Sequence, residues 1–237
     1  VSLDKPDAGG EPIAAKSVYQ RALGNDFGSL EPHLQSYFGP IPAGRVGTGH
    51  GAYDLARSRL RFLRPFLALV AKRHVLFPEL GHDVPFSIIN TPGSDGSLSA
   101  IRTFEFPERT RVMEDTMTVV DGQLIDRIGK RRGLEIATRL GVVAGALHMT
   151  STRLALRAGP LRIPLPPLAT MHLVERTDPV DPSRQRVDVR INAPRLGEVF
   201  RYTGGFTYTI RTAAADESLE RRPPAGGAKR TPDNVET

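Results

Sequence analysis

The stretch QRVDVRIN, residues 185–192, puts Gln185, Val187, Val189 and Ile191 in one register and Arg186, Asp188, Arg190 and Asn192 in the other. Successive side chains on a strand point to opposite faces, so this alternation predicts a strand with one face buried and the other in water. GFTYTI, residues 205–210, repeats the pattern with Phe206, Tyr208 and Ile210 in the apolar register. One-sided burial of this kind is the mark of antiparallel sheet. Upstream of these runs, the same period two extends back to Asp83. Val84 to Thr91 and Leu98 to Phe106 flank the turn signal PGSDG, and Arg109 to Val120 and Gln123 to Ile128 flank Asp121-Gly122, a pair favoured in two-residue hairpins. Leu134 to Val142 alternates, the chain continues through Leu147 to Leu156, and Met171 to Arg176 follows a Pro-rich break. Some nine or ten consecutive antiparallel strands are expected, and a sheet that long curls or closes because twist accumulates and open edges are a liability.

Before Asp83 the periodicity is helical. Ser17 reads as the N-cap of a short helix that Gly24 interrupts, and a second short helix is expected over Glu31 to Phe38 with Pro32 in its first turn. RVGTGHGAYDLA, residues 45–56, reads as a bent or bulged strand because of its glycines. Ser58 to Phe77 carries Leu60, Leu63, Leu67 and Val70 at helical spacing with a basic reverse face, and Pro65 marks its start or a kink. The fold class is therefore α+β and mainly β, a long curved antiparallel sheet or partly closed barrel packed with N-terminal helices. One domain is expected over residues 16–212. The flanking segments 1–15 and 213–237 carry too few large apolar groups to offset their ordering entropy and are expected to be disordered.

The 237 residues include no Cys, which excludes disulfides, thiolate zinc sites and cysteine nucleophiles. The net charge of +6 resides in the folded part, mainly in Arg57, Arg59, Arg61, Arg64, Lys72 and Arg73 and in Arg127, Lys130, Arg131, Arg132 and Arg139. Without a helix-turn-helix, zinc-finger or RNA-binding aromatic signature, that charge reads as solvated Arg and no nucleic-acid partner is expected. The N-terminal segment has neither the apolar core of a signal peptide nor that of an anchor, and no run of eighteen apolar residues occurs. A soluble cytoplasmic protein without membrane contact is the expectation. GRVGTGHG lacks the Lys-Ser or Lys-Thr of a phosphate loop, the six His residues show no metal-ligand spacing, and no nucleophile elbow is present. Neither cofactor nor metal is expected, and no catalytic residue is identified.

The polar groups that can carry binding are those at strand positions able to meet inside a curved sheet. Arg102, Phe104, Asp126, His148, Glu175 and Tyr202 form the candidate ligand-binding set, each with a plain alternative as a surface or wall residue. Glu114 and Asp115 are adjacent in a strand and point to opposite faces, so only one can face inward.

SVYQRALGNDFGSLEPHLQSYF (17–38), RVGTGHG (45–51), DVPFSI (83–88), IRTFEF (101–106), PLRIPLPP (160–167) and APRLGEVFRYTGGF (193–206) occur in an order that resembles the bacterial domain-of-unknown-function family 4166. The resemblance implies a neighbourhood, since such domains occur alone or beside saccharopine-dehydrogenase-like and epimerase-like modules, and hence an oxidoreductase- or epimerase-like partner. It does not imply a reaction. The chain departs from the family pattern at Arg102, where a Trp is usual, at the end of the second helix, where Tyr37 and Phe38 replace a His, and at Asp126, where a Glu is usual. The functional expectation is a hydrophobic small-molecule binder, lipid-like or polyketide-like, with the ligand inside the curved sheet. The alternatives are a cyclase- or isomerase-type enzyme that folds a flexible substrate in the lumen, and a scaffold or membrane-surface module using the basic helix.

Overall fold

The computed structural model describes residues 16–213 apart from 60, 61 and 63, with the side chains of 64 and 66 also left out. The two expected disordered tails lie outside the described residues, except for Ala213. Helix α1 (Val18–Leu23) starts at a complete capping box: the Ser17 hydroxyl accepts from the Gln20 backbone N–H while the Gln20 side chain accepts from the Ser17 N–H. A 3-10 turn (Gly24–Ser29) leads to α2 (Pro32–Phe38). The third helix, α3 (Arg64–Ala71), is far shorter than the expected 58–77. Pro65 is its second residue, so the proline marks the start of the helix, and Ser58, expected to open it, is the last residue of a strand.

The described residues form eleven strands, against the nine or ten expected: β1 (Arg45–Ser58), β2 (Leu80–Pro92), β3 (Leu98–Phe106), β4 (Arg109–Val120), β5 (Gln123–Ile128), β6 (Leu134–Val143), β7 (Ala146–Ala158), β8 (Leu161–Leu165), β9 (Thr170–Thr177), β10 (Gln185–Ala193) and β11 (Gly197–Thr212). All pairings are antiparallel. Strands β1 to β6 form a meander, β6 pairs with β7, β7 with β9, β9 with β10 and β10 with β11, and β11 returns to β1. The sheet thus closes into a ten-stranded barrel, with β8 attached only to the C-terminal end of β7, Leu154 to Ala158. Asp121-Gly122 (φ 50° and 74°) and Ala144-Gly145 (φ 49° and 80°) supply the two left-handed residues that tight hairpin turns need. The first turn was readable from its Asp-Gly pair; the second was missed because Ala seldom adopts positive φ.

The glycines of β1 are explained by packing. Gly47, Gly49 and Gly51 belong to the inward register, and a Cβ on Gly47 would collide with the Tyr208 hydroxyl, while one on Gly49 would crowd Ile88 and Phe206. The strand leaves out side chains where rings from β11 lie across it. A bulge between Tyr53 and Leu55 confirms the bent strand expected from sequence.

Both barrel ends are filled. At one, Val18, Tyr19, Leu23, Leu34 and Phe38 of the N-terminal helices pack with Met117, Leu124, Leu147 and Met149 of the wall. Glu31 fastens this plug: its backbone N–H donates to the Gly145 carbonyl at 2.9 Å, and its carboxylate accepts from the Thr177 N–H at 2.9 Å. At the other end Phe77, fully buried, contacts the rings of Phe104, Phe106 and Phe200. No helix among the described residues is long and apolar enough to cross a membrane.

Candidate functional site

Between the two apolar ends lies a polar layer built from inward strand positions. Arg102 enters from β3, Asp115 from β4, Asp126 from β5, Glu175 from β9, Gln185 from β10 and Tyr202 from β11. The register accounts for their common direction. Asp126 is paired with Met117 and Ile136, Glu175 with Val187 and Leu147, and Tyr202 with Val189 and Ala56, so each polar side chain stands in a row of apolar ones facing the lumen. Tyr19 reaches in from α1, where its hydroxyl sits 3.5 Å from the Met117 sulfur.

The electrostatics centre on Arg102. Its guanidinium is ion-paired and hydrogen-bonded to Asp115, which keeps it charged although buried. Burial pushes the Glu175 carboxyl up to about 7, against the opposing pull of Arg102 and of the hydrogen bond donated by the Gln185 amide. Asp126 is raised well above the carboxylate range, by burial first and then by the negative Asp115 beside it. Burial likewise lifts the Tyr202 hydroxyl to about 12. Near neutrality the layer therefore holds one fixed ion pair, an Asp126 whose ionised form is disfavoured by burial and by Asp115, and a Glu175 poised between its two forms. Three of its acceptor atoms, Asp115 Oδ1, Asp126 Oδ1 and Gln185 Oε1, are buried with no hydrogen-bond partner. A buried acceptor left unmade costs about 1–3 kcal/mol, so such atoms mark places where a donor belongs. Chemically, the layer offers acceptors for a polar group and a carboxyl able to give or take a proton near neutral pH.

Of the six sequence-predicted residues, Arg102, Asp126, Glu175 and Tyr202 come together in this layer. Phe104 also faces inward, but as a fully buried core ring stacked on Tyr53 and tilted against Phe77. His148 stands apart. It is paired with Val174, in the register opposite that of Leu147 and Met149, and so lies on the outer wall, where with His172 it lines a groove of about 880 Å³. Of the adjacent acids, Asp115 faces in, while Glu114 faces out to His74 at 2.7 Å and Arg132 at 3.3 Å. Gln185 and Tyr19 were missed as site residues. The signal for Gln185 was available, since it is the single polar member of the inward register of the 185–191 run, whereas Tyr19 was hidden in the apolar stripe of α1. Among the described residues no group of His, Asp and Glu is arranged to hold a metal ion.

No curated protein and no solved structure matches the chain. One family model does, the Domain of unknown function (DUF4166), over residues 30–206, which takes in the barrel from the plug helix α2 to the inward aromatics of β11. The motifs that build the lumen are thus the ones that the family model recognises, and the chain belongs to the DUF4166 family.

Proposed function

We propose that the barrel binds a hydrophobic small molecule, lipid-like or polyketide-like, with its body among the apolar rings and its polar end against the Arg102 layer. The observation that carries this reading is the set of three unpartnered acceptors, Asp115 Oδ1, Asp126 Oδ1 and Gln185 Oε1, in a polar layer between two apolar ends of the barrel. A ligand with hydroxyl or amine donors at one end and hydrocarbon at the other satisfies both. Ten strands enclose more space than an eight-stranded barrel, which side chains just fill. Here the extra room is taken by Tyr19, Tyr37 and the plug, and ligand entry requires the two N-terminal helices to give way. A cytoplasmic setting and an oxidoreductase- or epimerase-like partner accompany the proposal as expectations from the sequence and the family resemblance.

A second reading, a cyclase- or isomerase-type enzyme, draws on Glu175, whose carboxyl at about 7 suits general acid–base work beside a fixed guanidinium. The membrane-surface alternative has less behind it, since the basic helix is only eight residues long. Native mass spectrometry of protein purified from its own host tests the binding reading. A co-purifying hydrophobic compound that is lost in Arg102→Met is expected; a wild-type protein that carries no compound and takes up no hydrophobic naphthalene fluorophore overturns it. Chemical conversion of the bound compound that Glu175→Gln abolishes would move the assignment to the enzyme reading.

A further inference from the structure

The outer wall of β9, β10, β11 and β1 carries an arrangement that the lumen reading leaves unexplained. Arg176 lies directly opposite Arg186, His172 opposite Arg190, Arg190 opposite Arg201, and Arg201 opposite Arg57. Like charges directly opposite on neighbouring strands destabilise a sheet, and here they recur in two rows. Compensation is partial. Asp188 accepts two hydrogen bonds from Arg190 (3.0 and 2.8 Å) and two from Arg201 (3.3 and 2.7 Å), Arg186 pairs with Asp54 and with Asp178 at 3.6 Å, and Arg57 pairs with Glu198 at 2.6 Å. Arg176 has no ion-pair partner among the described residues. The groove of about 880 Å³ on this wall is lined by four arginines, Arg176, Arg186, Arg190 and Arg201, against two aspartates, Asp54 and Asp188.

We propose that this groove is a second binding site, separate from the lumen, for a small organic anion with an anionic group at each end. Each guanidinium has five donors in a planar fork suited to phosphate or carboxylate, and Arg190 and Arg201 each use two on Asp188 and keep the rest. The two cationic rows pass through Arg186 and Arg190, four residues apart on β10, which separates them by about 13 Å at strand rise. Between the rows the wall offers Val174 and Thr203, on either side of Asp188, as a floor for the linking chain, and the Asp188 carboxylate is already held by Arg190 and Arg201. The groove volume falls within the range of small-molecule sites. His148 belongs to this site.

Isothermal titration calorimetry at low salt with octane-1,8-diol bisphosphate, propane-1,3-diol bisphosphate and inorganic phosphate tests the proposal. The long bisphosphate should bind most tightly and lose affinity on addition of salt. In Arg176→Gln/Arg190→Gln its affinity should fall at least tenfold, while the melting temperature in the absence of ligand changes little, because the like-charge oppositions relieved offset the lost Arg190–Asp188 pair, and Arg201 still holds Asp188. Arg176→Lys should recover part of the affinity, since it restores charge without the fork. Equal affinity for the long and short bisphosphates, unchanged affinity in the double variant, or binding to anionic phosphatidylglycerol vesicles through the same arginines in place of the bisphosphate would each overturn it. Ligand retention in the lumen is read separately by native mass spectrometry, so either site can fail without the other.

Discussion

Two clusters of charge in this barrel are near mirror images. Inside, one arginine, Arg102, faces three carboxyl groups, Asp115, Asp126 and Glu175. Outside, one carboxylate, Glu135 of β6, is held by three arginines: Arg127 of β5 at 3.3 Å, Arg157 of β7 at 3.0 Å and Arg162 of β8 at 2.7 Å. Burial would raise the Glu135 carboxyl, but hydrogen bonds from Arg162, Arg157 and Arg127 outweigh it and hold the group at about 2. The outer cluster is complete: each oxygen is bonded and the ionised form is favoured. The inner cluster has more acid than cation, raised carboxyls and unpartnered oxygens. The contrast teaches that the count of charges does not separate a structural cluster from a candidate site; the sign of the surplus and the unmet hydrogen bonds do.

The sharpest way to break the comparison is to remove the lone inner cation. Arg102→Met leaves Asp115 buried without its partner, and such a loss costs about 3–5 kcal/mol. Urea denaturation at pH 7 should show it, and the deficit should shrink in acid as the lumen carboxyls take up protons. A loss below about 1 kcal/mol would mean that the layer is hydrated enough to carry its own charge.

Glu175→Gln works in the opposite direction. A carboxyl raised on folding from 4.5 to about 7 stabilises the fold below the unfolded value, and that contribution is lost as pH climbs through 7. The wild-type protein should therefore weaken between pH 4.5 and 7, and the variant should be more stable at pH 8 by up to about 3 kcal/mol, the difference fading in acid. Parallel denaturation curves across this range check the sign; a variant that is less stable at pH 8 would show that Glu175 is ionised and stabilising.

Glu135→Gln reverses the sign again. A depressed carboxyl stabilises above its unfolded pKa and loses that contribution as pH falls through about 2, so the variant should cost about 1–2 kcal/mol at pH 7, allowing for the solvent around its arginines, and little at pH 2. Smallest of all is Arg157→Gln. Two other arginines still hold Glu135, so the loss should stay below about 1 kcal/mol in thermal melts, whereas no second cation backs up Arg102 in its ion pair.

Much of this contrast could be read before any coordinates. Period two after Asp83 located the strands, and the alternation at Arg102, Asp126, Glu175 and Tyr202 put polar groups on faces that a closed sheet turns inward. The phase of alternation did not extend across β7, where a register shift opposite Ala137 and Thr138 interrupts the strand pairing, and His148 was accordingly grouped with the lumen set. Strand β8 lay within the Pro-rich segment 160–167, where prolines hid a two-stranded ribbon. The cations of the outer groove come from three strands and form no single run in sequence, while the basic runs that stand out in the sequence are partly consumed in pairs, such as Arg57 with Glu198, Arg127 with Glu135 and Arg132 with Glu114. Registry assembles the first group and neutralises members of the second, and neither effect has a local signature.

Closure through β6 and β7 also bears on how the chain meets its own copies. A closed sheet has no terminal ladder for a second molecule to extend, and among the described residues β8 is the only strand with a partner on one side alone. That strand is five residues long, Pro164 within it has no N–H to offer, and Pro166 and Pro167 follow directly. Short length and missing donors are what keep a free strand edge from templating edge-to-edge growth. The barrel thus leaves its one singly partnered strand, among the described residues, in a segment poorly able to recruit another strand, and resists fibrous self-association through topology more than through charge.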